Sequence, residues 1–164
     1  MYSKYKNKIP ALKYLKLSKD GKYIIYPESA TVIAYNQNNK ILLIRQFRSL
    51  LSKYTLEFPG GVIEKNESIV SGALREYREE TGYHITDIKY MTTLDMDVSL
   101  TNHKTHLFRA KIIEENIVER EKGIELVWME IEDIIKNINN GNISHAPTVV
   151  ASLWFFINKR SLHC

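Results

Sequence analysis

The sequence has little of what small exported or membrane-bound proteins rely on. Among its 164 residues the only cysteine is Cys164, which has no partner within the chain and so excludes a disulfide scaffold. No Cys/His spacing of the kind that holds structural zinc occurs. No apolar run approaches the roughly 18 residues of a membrane helix. The opening MYSKYKNKIPALKYLKL is Lys-rich and has no uninterrupted apolar stretch, unlike a secretory leader. The expectation is a protein of a reducing interior compartment, the cytoplasm, that meets no membrane. Internal repeats and low-complexity linkers are also lacking, so residues 1–164 read as a single domain. A chain of this length buries about 68–70% of the surface its unfolded form exposes, enough for a core without crosslinks.

Net charge is small and unevenly placed. Lys and Arg number 23 against 19 Asp and Glu, a balance of +4. Residues 1–22 hold seven Lys and one Asp, or +6, which leaves the other 142 residues at −2. The basic character therefore belongs to a Lys-rich N-terminal arm, residues 1–21. Such an arm can touch a polyanion, but no zinc finger, RNA-binding aromatic motif or basic recognition helix accompanies it. A solvated arm is the preferred reading, and nucleic acid is not an expected partner.

The first half of the chain is β-rich. Segments with β-branched and aromatic residues predict strands at Lys22–Tyr26, Ser29–Tyr35, Lys40–Phe47 and Thr55–Phe58, with Asn36–Asn39 as a hairpin turn and Pro59-Gly60-Gly61 as another turn. A helix follows from Ser68 to Thr81, stopped by Gly82. Further strands are predicted at Asp87–Leu94, Lys104–Ile113 and Glu125–Met129. Helices are predicted at Ile131–Asn140 and at Pro147–Asn158, the latter with Val150, Leu153, Trp154 and Ile157 at helical spacing. Mixed strands with three helices imply an α/β sandwich.

The Ser68–Thr81 helix carries the chemistry. Glu76, Glu79 and Glu80 fall within five consecutive positions; at about 100° per residue Glu76 and Glu80 share a face, with Glu79 about 60° aside. Like charges at i, i+4 are destabilising, and acidic groups near a helix C-terminus oppose its dipole. Arg75 can pair with Glu79, but Glu76 and Glu80 have no basic neighbour one turn away. A divalent cation would neutralise them, and an all-oxygen donor set favours Mg²⁺ or Mn²⁺ together with phosphate. The bland alternative, a solvated acidic face, is common for charge runs. Ala73, Tyr77, Val70 and Leu74 form the expected apolar stripe of the same helix, which would set the carboxylates at a pocket rim.

The spacing Gly61-x5-Glu67-x7-Arg75-Glu76-U-x-Glu79-Glu80-x-Gly82-U, where U is a bulky apolar residue, resembles the complete Nudix box of the Nudix hydrolases. All seven fixed positions are present in a 23-residue span, with Tyr77 and Tyr83 at the U positions where aliphatic residues are usual. The resemblance implies a Nudix-type α/β/α sandwich with a mixed sheet. It also implies Mg²⁺-dependent attack of water on a diphosphate. By the same resemblance Glu76 and Glu80 match the chief metal ligands, Glu79 a ligand or base, the Gly60 carbonyl a backbone ligand, Glu67 a supporting carboxylate and Arg75 the residue that orients the glutamates. The surrounding Ile44-Arg45-Gln46-Phe47-Arg48 and Leu56-Glu57-Phe58-Pro59-Gly60-Gly61 resemble the ADP-ribose pyrophosphatase branch, which puts Arg48 and Arg45, with Glu57, at the substrate.

One departure from that branch matters. Its members typically carry a proline and a glutamate in the loop after the box, whereas no Glu lies between Glu80 and Glu114 and no Pro between Pro59 and Pro147. In the loop Asp95–Lys104, His103 aligns with that glutamate and becomes a second candidate base beside Glu79. The resulting expectation is hydrolysis of a nucleoside diphosphate linked to a sugar, giving a nucleoside monophosphate and a sugar phosphate. Alternatives are another nucleotide substrate (a dinucleoside polyphosphate, a nucleoside triphosphate or a capped RNA end) and a non-catalytic nucleotide sensor. The branch resemblance also implies a homodimer, for which the apolar pair Ile24-Ile25 between Tyr23 and Tyr26 is the local hint.

Overall fold

The computed structural model describes residues 16–113 and 118–159; residues 1–15 of the Lys-rich arm and Cys164 lie outside them. The chain runs β1 (Lys16–Leu17), β2 (Ile24–Ile25), β3 (Ser29–Tyr35), β4 (Ile41–Arg48), β5 (Lys53–Glu57), β6 (Gly60–Val62), α1 (Ile69–Thr81), β7 (His84–Asp95), β8 (Lys104–Ile113), β9 (Glu125–Met129), α2 (Ile131–Asn139) and α3 (Ala146–Lys159). No helix among the described residues is long and apolar enough to cross a membrane.

Strand β3 is the axis. It runs parallel to β8 from Ser29↔Thr105 to Tyr35↔Lys111, and β8 is antiparallel to β7, so the sheet is mixed as expected. The Asn36–Asn39 turn forms, with the Asn36 carboxamide accepting from the Asn38 and Lys40 amides. The hairpin expected beyond it does not zip. Strands β3 and β4 share only the pair Tyr35↔Ile41, because β6 takes the first half of β3 while β9 and β5 take β4.

Side-chain alternation along β3 sorts two apolar layers. Ala30, Val32 and Ala34 pack with Phe108, Ala110, Ala73 and Tyr77 under α1. Ile33 faces the other way and joins Leu43, Phe58 and Leu107 beneath Ile131 and Ile134 of α2 and Ala151 of α3. The result is the α/β/α sandwich, with α1 alone on one side.

Helix faces were less predictable than helix limits. Helix α1 begins where its Ser68 cap accepts from Ser71 N–H and ends at Gly82 in the left-handed region (φ 78°), as read from the sequence. Its buried residues are Gly72, Ala73, Tyr77, Glu80 and Thr81, whereas Val70 and Leu74 are exposed, contrary to the expected stripe. Likewise α3 buries Thr148, Ala151 and Ser152 while Leu153 and Ile157 face outward. Each helix has more apolar residues than its contact face can cover, so spacing alone leaves the face open.

The expected Pro59-Gly60-Gly61 turn is instead the entry to a strand. A Cβ on Gly60 would stand 2.1 Å from the Ala30 carbonyl oxygen, so only glycine lets β6 approach β3 this closely. Strand β2 is shorter than predicted and is not an open edge. It pairs with β1 on Lys16↔Ile25 and Leu17↔Ile24, and Ile24 also exchanges backbone hydrogen bonds with Leu100 and Asn102.

Candidate active site

The β6–α1 junction places the box residues. Arg75 sits at its centre and spends all five donors of its guanidinium. Nε and Nη2 fork onto Glu67 at 3.0 Å each, Nη1 donates to Glu76 at 2.8 Å and Glu79 at 3.1 Å, and Nη2 also reaches the Val62 carbonyl at 3.0 Å. Glu76 therefore does have a basic partner, its immediate neighbour, which a search one turn away overlooks. These bonds hold Glu67 below the usual carboxylate range.

Glu76 and Glu80 are the pair whose ionisation burial opposes. Glu76 lies against Gly61, where a Cβ would meet its Oε2 at 2.3 Å. Burial, followed by the charges of Glu79 and Glu67, raises its pKa against the pull of Arg75. Glu80 is only 8% exposed. Among the described residues its carboxylate accepts one hydrogen bond, from Gly60 N–H at 2.8 Å. Burial pushes its pKa up to about 8, with Glu76 and Glu121 adding to the rise and Gly60 N–H and Arg48 opposing it. Glu79 is 57% exposed at the side chain, and among the described residues its Oε1 has no donor.

Arg48 acts electrostatically on Glu80. It forks onto Glu57 through Nε, at 2.8 Å, and Nη2, and Thr55 Oγ1 donates to the same carboxylate at 2.6 Å. Burial works to raise Glu57, but Arg48, His145 and Thr55 outweigh it and leave the carboxyl below its ordinary range. Among the described residues Arg48 Nη1 donates to nothing, and the Glu80 charge is felt at Arg48. Arg45 goes elsewhere. It pairs with Glu125 on β9 at 2.7 Å and stacks over Tyr54 at 4.0 Å, three residues from Arg48 and on the opposite strand face.

His103 is not joined to the box carboxylates by any hydrogen bond. Its Nε2 meets Ser29 Oγ at 3.0 Å, its ring lies 4.4 Å from that of Tyr26, and burial lowers its pKa. The segment that does lie along the end of α1 is Val118–Gly123, where Val118 N–H donates to Gly82 and Glu121 N–H donates to the Glu79 carbonyl at 2.8 Å. Glu121 acts electrostatically on both Glu80 and Arg48; spacing from the box points instead to His103, 18 residues earlier in the chain.

The NUDIX domain family matches residues 25–150. The chain belongs to the Nudix family. Among curated relatives it is 28% identical to the methanol dehydrogenase activator of Bacillus methanolicus over 142 residues, which cover 84% of this chain and 77% of that one. It is also 28% identical to the ADP-ribose pyrophosphatase of Bacillus subtilis over 130 residues, covering 77% and 70% respectively. A crystal structure of an ADP compounds hydrolase superposes with a TM-score of 0.74 at 21% identity over 88% of this chain and 82% of that one, a likeness of fold.

This Nudix hydrolase thus belongs to enzymes that work with a divalent cation, and its residues fit one. Glu76 and Glu80 offer hard oxygen donors, both with proton affinity raised chiefly by burial. Gly61 leaves room for Glu76 where any side chain would collide. Among the described residues no three acidic or imidazole groups converge as a ready-made cage. Instead Glu67, Glu76 and Glu79 all lean on Arg75. The Nudix box tyrosines pack as large apolar groups: Tyr83 meets Trp128 edge-on at 5.8 Å, and Tyr77 is fully buried, its hydroxyl without a partner among the described residues.

Proposed function

We propose that this Nudix hydrolase cleaves a nucleoside diphosphate linked to a sugar, of the ADP-ribose class, into a nucleoside monophosphate and a sugar phosphate, with Mg²⁺ or Mn²⁺. The observation that carries the reading is that Glu80, a buried carboxylate on the same helix face as Glu76, lies within electrostatic range of a guanidinium, Arg48, whose Nη1 has no partner among the described residues. Cation-binding carboxylates beside an anion-binding fork suit a diphosphate chelating a metal ion. The ADP-ribose pyrophosphatase named among the relatives supports the substrate class.

In this reading Glu76, Glu80 and the Gly60 carbonyl hold the cation, and Glu67 acts through Arg75. When bound, the cation supplies charge neutralisation at the phosphoryl oxygens and acidifies a water. Arg48 grips a nonbridging oxygen and so orients the diphosphate. Water adds to one phosphorus, the bridging P–O bond breaks, and the water's proton passes to a carboxylate. Glu79 serves as that base ahead of His103, since its exposed side chain shares Arg75 Nη1 with Glu76. Arg45, committed to Glu125, shapes the strand face at a distance from the diphosphate. The protein works in the cytoplasm as a homodimer. With both edges of β2 occupied, its contact uses the exposed side chains of Leu17, Tyr23 and Ile25 rather than an added strand.

The test is turnover of a panel: ADP-ribose, other nucleotide sugars, diadenosine polyphosphates, nucleoside triphosphates and capped RNA, each with Mg²⁺ or Mn²⁺ and chromatography of the products. Preferential release of AMP and ribose phosphate from ADP-ribose supports the proposal. Preference for a triphosphate or capped RNA refutes the substrate class, and binding without turnover points to a sensor.

A further inference from the structure

The strand that leads into the box is pinned from behind by the first turn of α3. Thr148 Oγ1, fully buried, accepts from Phe58 N–H at 2.9 Å and lies 2.9 Å from His145 Nδ1. His145 Nε2 faces Glu57 Oε2 at 3.7 Å, within ion-pair range though longer than a hydrogen bond. Glu57 in turn holds Arg48 by the two-point fork. None of the box residues belongs to this chain of contacts, which joins α3 to the end of β4 through the buried Glu57 carboxylate.

We infer that His145 is a positioning residue for phosphate recognition: with Thr148 it steadies the Glu57 carboxylate and thereby aims Arg48. The inference rests on the reading of Arg48 as the diphosphate contact. Glu57 is 4% exposed, while the Arg48 side chain is 45% exposed at the end of β4. A long side chain so exposed keeps one direction only if its anchor is fixed. The anchor is a buried carboxylate, which needs donors on both oxygens. Arg48 and Thr55 donate to Oε1 and Arg48 donates to Oε2, while His145 Nε2 flanks Oε2 at 3.7 Å, beyond hydrogen-bond reach.

The contacts also suit one tautomer. Thr148 Oγ1 accepts from Phe58 N–H and has a hydroxyl proton to give His145 Nδ1; an imidazole that takes it carries its hydrogen on Nε2, facing Glu57. Burial lowers the pKa of this imidazole, with the Glu57 charge pulling the other way.

The full chain carries the test as His145→Leu and His145→Gln, since a glutamine Nε2–H can still face Glu57. His145 is 31% exposed, so its replacement spares the core. For His145→Leu the expected result is a KM for ADP-ribose raised about tenfold with kcat within about twofold of wild type, the pattern of lost uniform binding. His145→Gln should recover KM to within about twofold. An independent readout is the Arg48 Nε–H resonance in a ¹⁵N-correlated spectrum, assigned by its loss in Arg48→Lys; it should shift in His145→Leu and return in His145→Gln. An unmoved Arg48 resonance, or a kcat loss with unchanged KM, overturns the inference. If wild type does not turn over ADP-ribose the substrate reading falls, and the Arg48 resonance still decides the positioning role.

Discussion

Replacing Glu80 with glutamine should make the metal-free protein more stable while destroying its activity. The carboxylate is buried, and its pKa rises from the ordinary 4.5 to about 8. A carboxyl whose folded pKa exceeds its unfolded one burdens the fold only where the unfolded chain ionises and the folded one resists. Its contribution is intact below pH 4.5 and is lost progressively as pH climbs through 8. At roughly 1.4 kcal/mol for each tenfold change in proton affinity, the burden is about 3 kcal/mol at pH 7 and about 4 kcal/mol at pH 8. Glutamine keeps an oxygen for Gly60 N–H and cannot ionise, so Glu80→Gln should escape it. For a chain of this size that corresponds to roughly 10 °C in Tm at pH 8 in EDTA, fading to nothing near pH 4.5. Divalent cation should reverse the order, because it stabilises wild type by binding the ionised pair and has less to bind in the variant. Thermal melts of both proteins from pH 4.5 to 9, in EDTA and in saturating Mg²⁺, are the assay, with turnover measured alongside. Equal melting temperatures across the range in EDTA would refute the burial argument. Equal stabilisation by Mg²⁺, or near wild-type turnover, would refute the placing of the cation at Glu80.

Three further outcomes are expected. If Glu79 is the base, Glu79→Gln should lower kcat by about 10²–10⁴-fold at saturating metal and substrate while His103→Gln changes it little; the reverse order would transfer the role to His103, and a loss confined to Glu121→Gln would move it to the Val118–Gly123 segment. Tyr77→Phe should raise stability by about 1–2 kcal/mol in chemical denaturation, because it removes a buried hydroxyl without a partner, and an unchanged or lower midpoint would mean that the hydroxyl is satisfied. Sedimentation at micromolar concentration should give about twice the 19.1 kDa chain mass, and a single-chain mass would exclude the dimer.

The amino-acid sequence alone determined whatever depends on neighbours along the chain. Ser68 and Gly82 delimit α1 because a cap and a left-handed stop act within one turn, and β3, β8 and β9 have the limits that β-branched residues and flanking turns mark out. The box glutamates were legible for the same reason: a helix of known pitch brings Glu76 and Glu80 to one face whatever surrounds it. Tertiary structure decided whatever depends on which surfaces meet. It split β3 from β4 beyond one pair, turned Val70 and Leu74 outward, and made Gly60-Gly61 a strand fitted to β3 rather than a turn. It also separated two arginines that look equivalent in sequence. Arg45 and Arg48 lie on opposite faces of β4, so the one meets Glu125 and the other Glu57. Glu121 and His145 are 41 and 65 residues beyond Glu80, and no local spacing relates them to it. They reach the Glu80–Arg48 neighbourhood because burial of the two apolar layers folds the Val118–Gly123 segment along α1 and the start of α3 behind β5. The hydrophobic effect is proportional to area and indifferent to sequence separation, which is why these neighbours could be found only in the folded chain.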